Sequence, residues 1–540
     1  MLVRFLRHNL AMLWLIWPLV LVILVGYFVI PTHEFYLKEL GGFLLMTISA
    51  ICLILLFSSL RIFSLLRVLA YFTLAFFAFV KLSFYMQYGT GISASALYVI
   101  FETNSGEATD YLSNYFSKQA IAVAIILAIP LLVLIRTASF SNRNTIAASR
   151  SKRIVKTATL LFIMLVCLFF IRKKFPTQNI PYATWNTWGE YTIAKQQLKD
   201  QLAQPLSPAF KSVSADSAAQ TYVVVIGESA SRWHMQLYGY GRETNPELTA
   251  MVDELVVMDS VITPHVHTIT ALDKILTLAD WDTPSPEPNG SIIQLANQAG
   301  FQTYWVSNQK PVGIYESIPT ILGSAANETR FLATDDYNHF IYDEHVLTEI
   351  EDILKETQHS KKLIFVHLIG SHLRYEKRYP KDFDFFTEPS PYLKFNHTKA
   401  IAQTNAYDNS IRYTDHVLAE LIGLLKTETH PSALVYFSDH GDEVYDTFDF
   451  VGHNDYHGSR PMYEVPMFFW FSNHSLKRSR SIYRVNQQKP YSLEHFPHTF
   501  AQFSGIYFDQ YDASKSVLDS TFIQRTRRIK DQQDYDAQKN

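Results

Sequence analysis

The chain has 540 residues, of which 48% are hydrophobic, 14% aromatic and only 18% charged, against about a quarter charged in an ordinary soluble protein. That composition excludes a disordered chain, and a formal net charge of −3 excludes the nucleic-acid binders, which neutralise phosphates with clustered Lys and Arg. The charge is also unevenly spread: of 50 acidic residues, only Glu34, Glu39, Glu102, Glu107 and Asp110 precede residue 173, so the chain is made of two different materials.

The first 172 residues read as a membrane domain. Apolar runs near 10–30, 42–60, 66–85, 119–135 and 154–171 predict five transmembrane helices, each close to the roughly 20 residues that cross a hydrocarbon core. The first run is long, lacks a small-residue cleavage site and is followed by four more, so it reads as an anchor rather than a signal peptide. Arg4 and Arg7, then Arg61 and Arg67, then Arg136, Arg143, Arg150, Lys152, Arg153 and Lys156 belong inside, which leaves the acidic segments 31–41 and 86–118 outside. Five spans export everything beyond them; Arg172, Lys173 and Lys174 oppose this only slightly. Lys81, near the outer end of the third span, is placed to snorkel to lipid phosphate. Cys52 and Cys167 both fall inside spans and read as small packing residues, so the exported part has no disulfide.

Residues 173–220 read as a polar linker along the membrane surface, with a short helix around Glu190–Gln204. From 221 to 540 the pattern is that of an α/β domain. Strands at Thr221–Gly227, Thr303–Val306, Lys362–Leu368 and Ala433–Phe437 alternate with helices at Ser291–Gln298, Glu344–Glu356 and Ser410–Leu425, which predicts a mostly parallel central sheet. Ligands in such folds gather where strands end. There stand Glu228, then Asp439 and His440, and then His372. Singly, each has an ordinary explanation, as a helix N-terminal charge, a turn residue or a core histidine. Together on one sheet edge they form an oxygen-and-nitrogen ligand set that suits zinc, and Mn²⁺ less well.

These residues carry a resemblance. Val223-Val-Val-Ile-Gly-Glu-Ser-Ala-Ser-Arg232 with Leu237-Tyr-Gly-Tyr-Gly-Arg-Glu-Thr-Asn-Pro246 resembles the opening motif of the bacterial membrane phosphoethanolamine transferases, whose catalytic domain has the sulfatase and alkaline phosphatase fold. Val366–His372 with Arg378-Tyr-Pro380, Tyr407-Asp-Asn409 with Tyr413-Thr-Asp415, and Phe437-Ser-Asp-His-Gly441 are similar to further family blocks in the same order. The resemblance implies a zinc-bound threonine nucleophile at the start of a helix. In Ser260–Leu276 two threonines compete: Thr268, which precedes the apolar pattern Ile269, Leu272, Ile275, Leu276 and so sits in the first turn, where orphan amides favour an anion, and Thr270 as runner-up. The glycine and cysteine context of lipid A-modifying members is replaced by His265-Val-His267, which looks more like the branch acting on the lipopolysaccharide core.

By this resemblance Glu228, Thr268, Asp439 and His440 hold Zn²⁺, and Thr268 takes phosphoethanolamine from phosphatidylethanolamine before an acceptor oxygen of lipopolysaccharide, core sugar or lipid A, receives it. His372, His453 and His457 are candidates to contact phosphoryl oxygens or protonate the leaving group. Glu102, Asn104 and Glu107, in a stretch that resembles the family's segment between membrane and catalytic domain, are candidates to hold the donor's ammonium; the alternative is a solvated amphipathic helix. The implied place is the bacterial inner membrane with the catalytic domain in the periplasm. Three rivals remain. A sulfatase requires a Cys or Ser that matures to formylglycine, which is missing after the second strand. A glycerol-phosphate polymerase of the lipoteichoic type shares the spans and the threonine, and a catalytically idle scaffold shares only the fold.

Overall fold

In a computed structural model the protein forms two compact units, Met1–Tyr191 and Thr192–Asn540. The structure describes residues 13–538 apart from 31–32, 59–61, 89–91, 93–96, 98–99, 102–117, 139–149, 204–211, 215–217, 283–289, 310–317, 334–340, 456–457 and 475–482.

Among the described residues of the first unit, four helices are long and apolar enough to cross a membrane: Tyr36–Leu56, Phe63–Met86, Gln119–Arg136 and Ser151–Lys174. The first predicted span is represented by a shorter apolar helix, Trp14–Val29. Their apolar side chains pack on one another through Leu15, Val22, Phe43, Tyr71, Ala78 and Leu82, all buried. The segment from 33 to 41, expected as an outer loop, is instead the first turns of helix His33–Leu56. That difference changes the reading of Lys81. It does not snorkel: it is buried, ion-paired with Glu39, and donates to the carbonyl of Gln178 at 2.9 Å, while the Tyr85 hydroxyl donates to the same Glu39 oxygen at 2.8 Å. A charge in an apolar setting is tolerated only when paired in this way. Gly41 and Gly42 make room for the pairing chain, since a Cβ on Gly42 would stand 2.7 Å from Gln178 Cβ. Beyond the last span, the polar stretch holds a 24-residue helix, Ile180–Ala203, which starts ten residues before the short helix expected there.

The second unit is built on a seven-stranded sheet of β1 (Gln220–Gly227), β2 (Leu255–Val257), β3 (Gln302–Ser307), β4 (Glu328–Phe331), β5 (Lys361–His367), β6 (Ser432–Ser438) and β7 (Met467–Phe471), in the order β2-β7-β6-β1-β5-β3-β4. The run from β6 to β4 is parallel, and β7 and β2 close one edge antiparallel. Valines and isoleucines of β1, β5 and β6 are wholly buried because helices cover both faces, which is why these strands read as unbroken apolar runs. On one face lie helices α1 (Thr268–Leu276) and α2 (Ile292–Gln298), and on the other α3 (His345–Lys355) and α4 (Thr398–Lys426). Ser291 caps α2 in a capping box with Gln294. Helix α4 begins twelve residues before the expected Ser410.

What positions the site is register. Gly227 of β1 pairs with Ser438 of β6, and Ile226 pairs with His367 of β5, so three neighbouring parallel strands end side by side at the same edge.

Replacing Lys81 by Met leaves the Glu39 carboxylate buried without its cation, and is expected to lower the stability of the detergent-solubilised protein by about 3–5 kcal/mol. The Glu39→Leu, Lys81→Leu double variant should recover most of that loss in thermal unfolding.

Candidate active site

The carboxyl ends of β1 and β6 deliver Glu228, Asp439 and His440, each 1% exposed or less. One ligand atom from each lies within 4.8 Å of the others. Helix α1 brings the fourth group: Thr268 Oγ1 donates to Glu228 Oε2 at 3.1 Å and stands 3.4 Å from His440 Nε2. His440 Nε2 is 3.3 Å from Glu228 Oε1 and 3.6 Å from Asp439 Oδ2. A tetrahedron with zinc bonds near 2.0–2.1 Å has edges of about 3.3 Å, so these separations fit one small divalent cation. Two further observations agree. Asp439 Oδ1 accepts from the amides of Ser229 and His440, whereas its fully buried Oδ2 has no hydrogen-bond partner. His440 Nδ1 faces the carbonyl of Gly441 at 3.1 Å, where it donates its proton, and in that tautomer the lone pair of Nε2 can go to a cation held among the four groups.

The buried charges act strongly on one another. Burial, with the Glu228 charge beside it, pushes the Asp439 carboxyl up to about 8. Burial would lower His440, but Asp439 and Glu228 outweigh it and raise the imidazole to about 10. Burial would raise Glu228, yet the hydrogen bond and charge of His440 hold it well below the ordinary carboxylate range.

Backbone geometry fixes the ligands. Ser229 takes a left-handed conformation, φ 58°, unusual for a residue with a side chain. It is held there by Tyr407, whose hydroxyl donates to the Ser229 carbonyl at 2.6 Å and accepts from the Ser231 amide at 2.8 Å. Gly370 has φ +48°, and a Cβ there would stand 2.8 Å from the Glu228 carbonyl oxygen, so only glycine lets the loop after β5 pass beneath the ligand. Thr263 donates to the Asp439 carbonyl at 2.6 Å.

Of the remaining expected residues, His372 and His453 stand at this edge. Arg378 Nη2 faces His372 Nδ1 at 3.4 Å; a guanidinium only donates, so the ring carries its proton on Nε2. Burial pulls His372 down to about 4, partly opposed by the Glu228 charge. His453 Nδ1 bonds Asp442 Oδ1 at 2.7 Å, Tyr375 donates to Asp442 Oδ2 at 2.6 Å, and the His453 ring lies 4.2 Å from that of His440. Thr270 turns away: its hydroxyl donates to the His267 carbonyl at 3.2 Å. Glu102, Asn104, Glu107 and His457 lie outside the described residues.

The comparisons with known proteins follow the same lines. Residues 220–506 match the Sulfatase family. Phosphoethanolamine transferase EptC of Escherichia coli O18:K1:H7 is 32% identical over 479 residues, covering 83% of this chain and 81% of its own. The chain belongs to the phosphoethanolamine transferases. The crystal structure of the C-terminal periplasmic domain of EcEptC in complex with Zn superposes with a TM-score of 0.58 at 32% identity, over 62% of this chain and 97% of that one. The integral membrane lipooligosaccharide phosphoethanolamine transferase A of Neisseria meningitidis matches over 85% of this chain and 90% of its own, with a TM-score of 0.63; at 18% identity it shows the shared fold of helices and catalytic domain alone.

Some groups of this transferase site escape a search for titratable residues. Gln309 donates to Glu228 Oε2 at 3.2 Å and to the Leu368 carbonyl at 2.9 Å. It follows the end of β3 as Glu228 follows β1, which is the signal that would have found it. Tyr375 and Thr263 act through other residues and leave no pattern of their own.

Tyr407→Phe removes both bonds that hold Ser229, and zinc affinity measured by competition with a chelator is expected to fall by about 10-fold. A second expectation concerns Glu464, whose carboxylate accepts from Arg232, Trp233, Arg460 and Tyr535. Burial alone would raise it, but those partners lower it to about 2. A depressed carboxyl stabilises the fold above its unfolded value near 4.3 and loses that contribution as pH falls toward 2. Thermal unfolding of the transferase should therefore drop more steeply between pH 4.5 and 2 than that of Glu464→Gln.

Proposed function

We propose that the protein is a zinc-dependent enzyme of the bacterial inner membrane that moves phosphoethanolamine from phosphatidylethanolamine, by way of Thr268, to lipopolysaccharide. The organisation is a five-span membrane domain (1–172) with an outer segment at 86–118, a linker (173–220) and a periplasmic catalytic domain (221–540). The observation that carries the reading is the placement of the Thr268 hydroxyl, at the first position of α1 and within 3.4 Å of both Glu228 and His440. Support comes from the names of the relatives, which are phosphoethanolamine transferases, and from the zinc complex of one of them.

Glu228, Thr268, Asp439 and His440 would hold the zinc, which lowers the pKa of a bound hydroxyl toward neutrality. Thr268 Oγ1, hydrogen-bonded to Glu228, attacks the phosphorus of the donor and gives up its proton. The bond from phosphorus to the diacylglycerol oxygen breaks, and that oxygen takes up a proton. An acceptor oxygen, on a core sugar or lipid A, then attacks the same phosphorus and releases Thr268. The first amides of α1 face the phosphoryl oxygens, where a helix start favours negative charge. His453, oriented by Asp442, and His372, oriented by Arg378, bind or protonate oxygens of the transferred group. Glu102, Asn104 and Glu107 take the donor's ammonium, and His457 a further substrate contact.

The test is the intact mass of the full-length protein after incubation with phosphatidylethanolamine and no acceptor. One added phosphoethanolamine is expected on the wild type and on Thr270→Ala, and none on Thr268→Ala or on zinc-stripped protein. Retention of the adduct by Thr268→Ala would sink the assignment of the nucleophile. A glycerol-phosphate adduct formed from phosphatidylglycerol instead would move the protein to the polymerase class.

A further inference from the structure

The two histidines that precede Thr268 differ in how well their surroundings account for them. His265 packs against Trp281, with ring centroids 5.0 Å apart and planes tilted by 40°. His267, at the N-cap of α1, is 6% exposed, and neither of its ring nitrogens has a hydrogen-bond partner. Its Nε2 stands 3.5 Å from Asp455 Oδ2, beyond hydrogen-bond range. Its ring meets His453 edge-on at 5.0 Å, and His453 in turn borders His440, so the imidazole belongs to the wall of the site.

A buried polar group left unpaired is destabilising, and replacing it by an apolar group of the same shape removes the penalty. If His267 only filled space, a phenyl ring would fill it better. Its polarity therefore answers to a group that the folded chain alone does not provide. One residue from the nucleophile, the group that arrives is the phosphoryl group.

We propose that His267 contacts substrate, donating a hydrogen bond from its imidazole to a non-bridging oxygen of the phosphoryl group that Thr268 attacks. The inference rests on the assignment of Thr268 above. No proton changes owner in this contact. A donor idle in the free enzyme and engaged as charge builds on those oxygens stabilises the transition state more than the ground state.

The experiment compares full-length wild type with His267→Phe and His267→Gln, reading steady-state turnover of phosphatidylethanolamine, zinc content and thermal unfolding. His267→Phe should unfold at the wild-type temperature or above and keep its zinc, while kcat falls at least tenfold with little change in KM. His267→Gln, which keeps an N–H donor, should regain part of that loss. Wild-type turnover in His267→Phe overturns the proposal. Should that variant not fold, His267→Ala replaces it: lowered kcat with retained zinc supports the contact, and unchanged kcat overturns it. Turnover is read without reference to the covalent adduct, so a wild type that turns over but forms no adduct overturns the two-step reading alone.

Discussion

Two carboxylates and an imidazole, all buried, meet where β1 and β6 end, and the rest of the catalytic unit is arranged around keeping them there. The parallel pairing of Gly227 with Ser438 sets Glu228 beside Asp439. Burial and the neighbouring Glu228 charge penalise the Asp439 carboxylate, whereas the two carboxylates favour the charged form of His440. Such a site persists only because the fold around it is over-determined. The left-handed Ser229, the tyrosine that clamps it, the glycine beneath Glu228 and the threonine on the Asp439 carbonyl are separate contributions to that one end.

Helix α4 shows how much structure is enlisted. Tyr407 clamps the turn after β1. Its neighbour Asp408 bonds His234 Nδ1 at 2.6 Å and Arg242 at 2.8 Å. Asn409 accepts from the amides of Phe385 and Phe386, and Asp415 from those of Glu247 and Leu248, at 2.8–3.1 Å. One helix thus ties the connections that follow β1 and β5 to the edge of the sheet where the chemistry is placed.

The same helix shows what the sequence conveys and what it hides. The buried strands β1, β3, β5 and β6 were legible because burial on both faces leaves an uninterrupted apolar run, and the acid and imidazole groups at their ends stand out by contrast. The first part of α4 was not legible: Asn405, Asp408 and Asn409 are buried through polar networks, so burial there has no apolar periodicity to read. Edge strand β2 is three residues long, and the direction of β7 is set by its neighbours rather than by its own residues. Gln309 has no charge to draw attention. Lys81 was misread because its partner lies 42 residues away, a separation that local pattern does not cross.

That distant pairing has a consequence for how the chain reaches the membrane. A lysine or glutamate in a spanning helix opposes its insertion unless it is paired, and here the partner of each charge lies in the other helix. Helices His33–Leu56 and Phe63–Tyr88 are therefore joined as a hairpin by Glu39 and Lys81. Losing either partner would leave the other charge unpaired in an apolar setting.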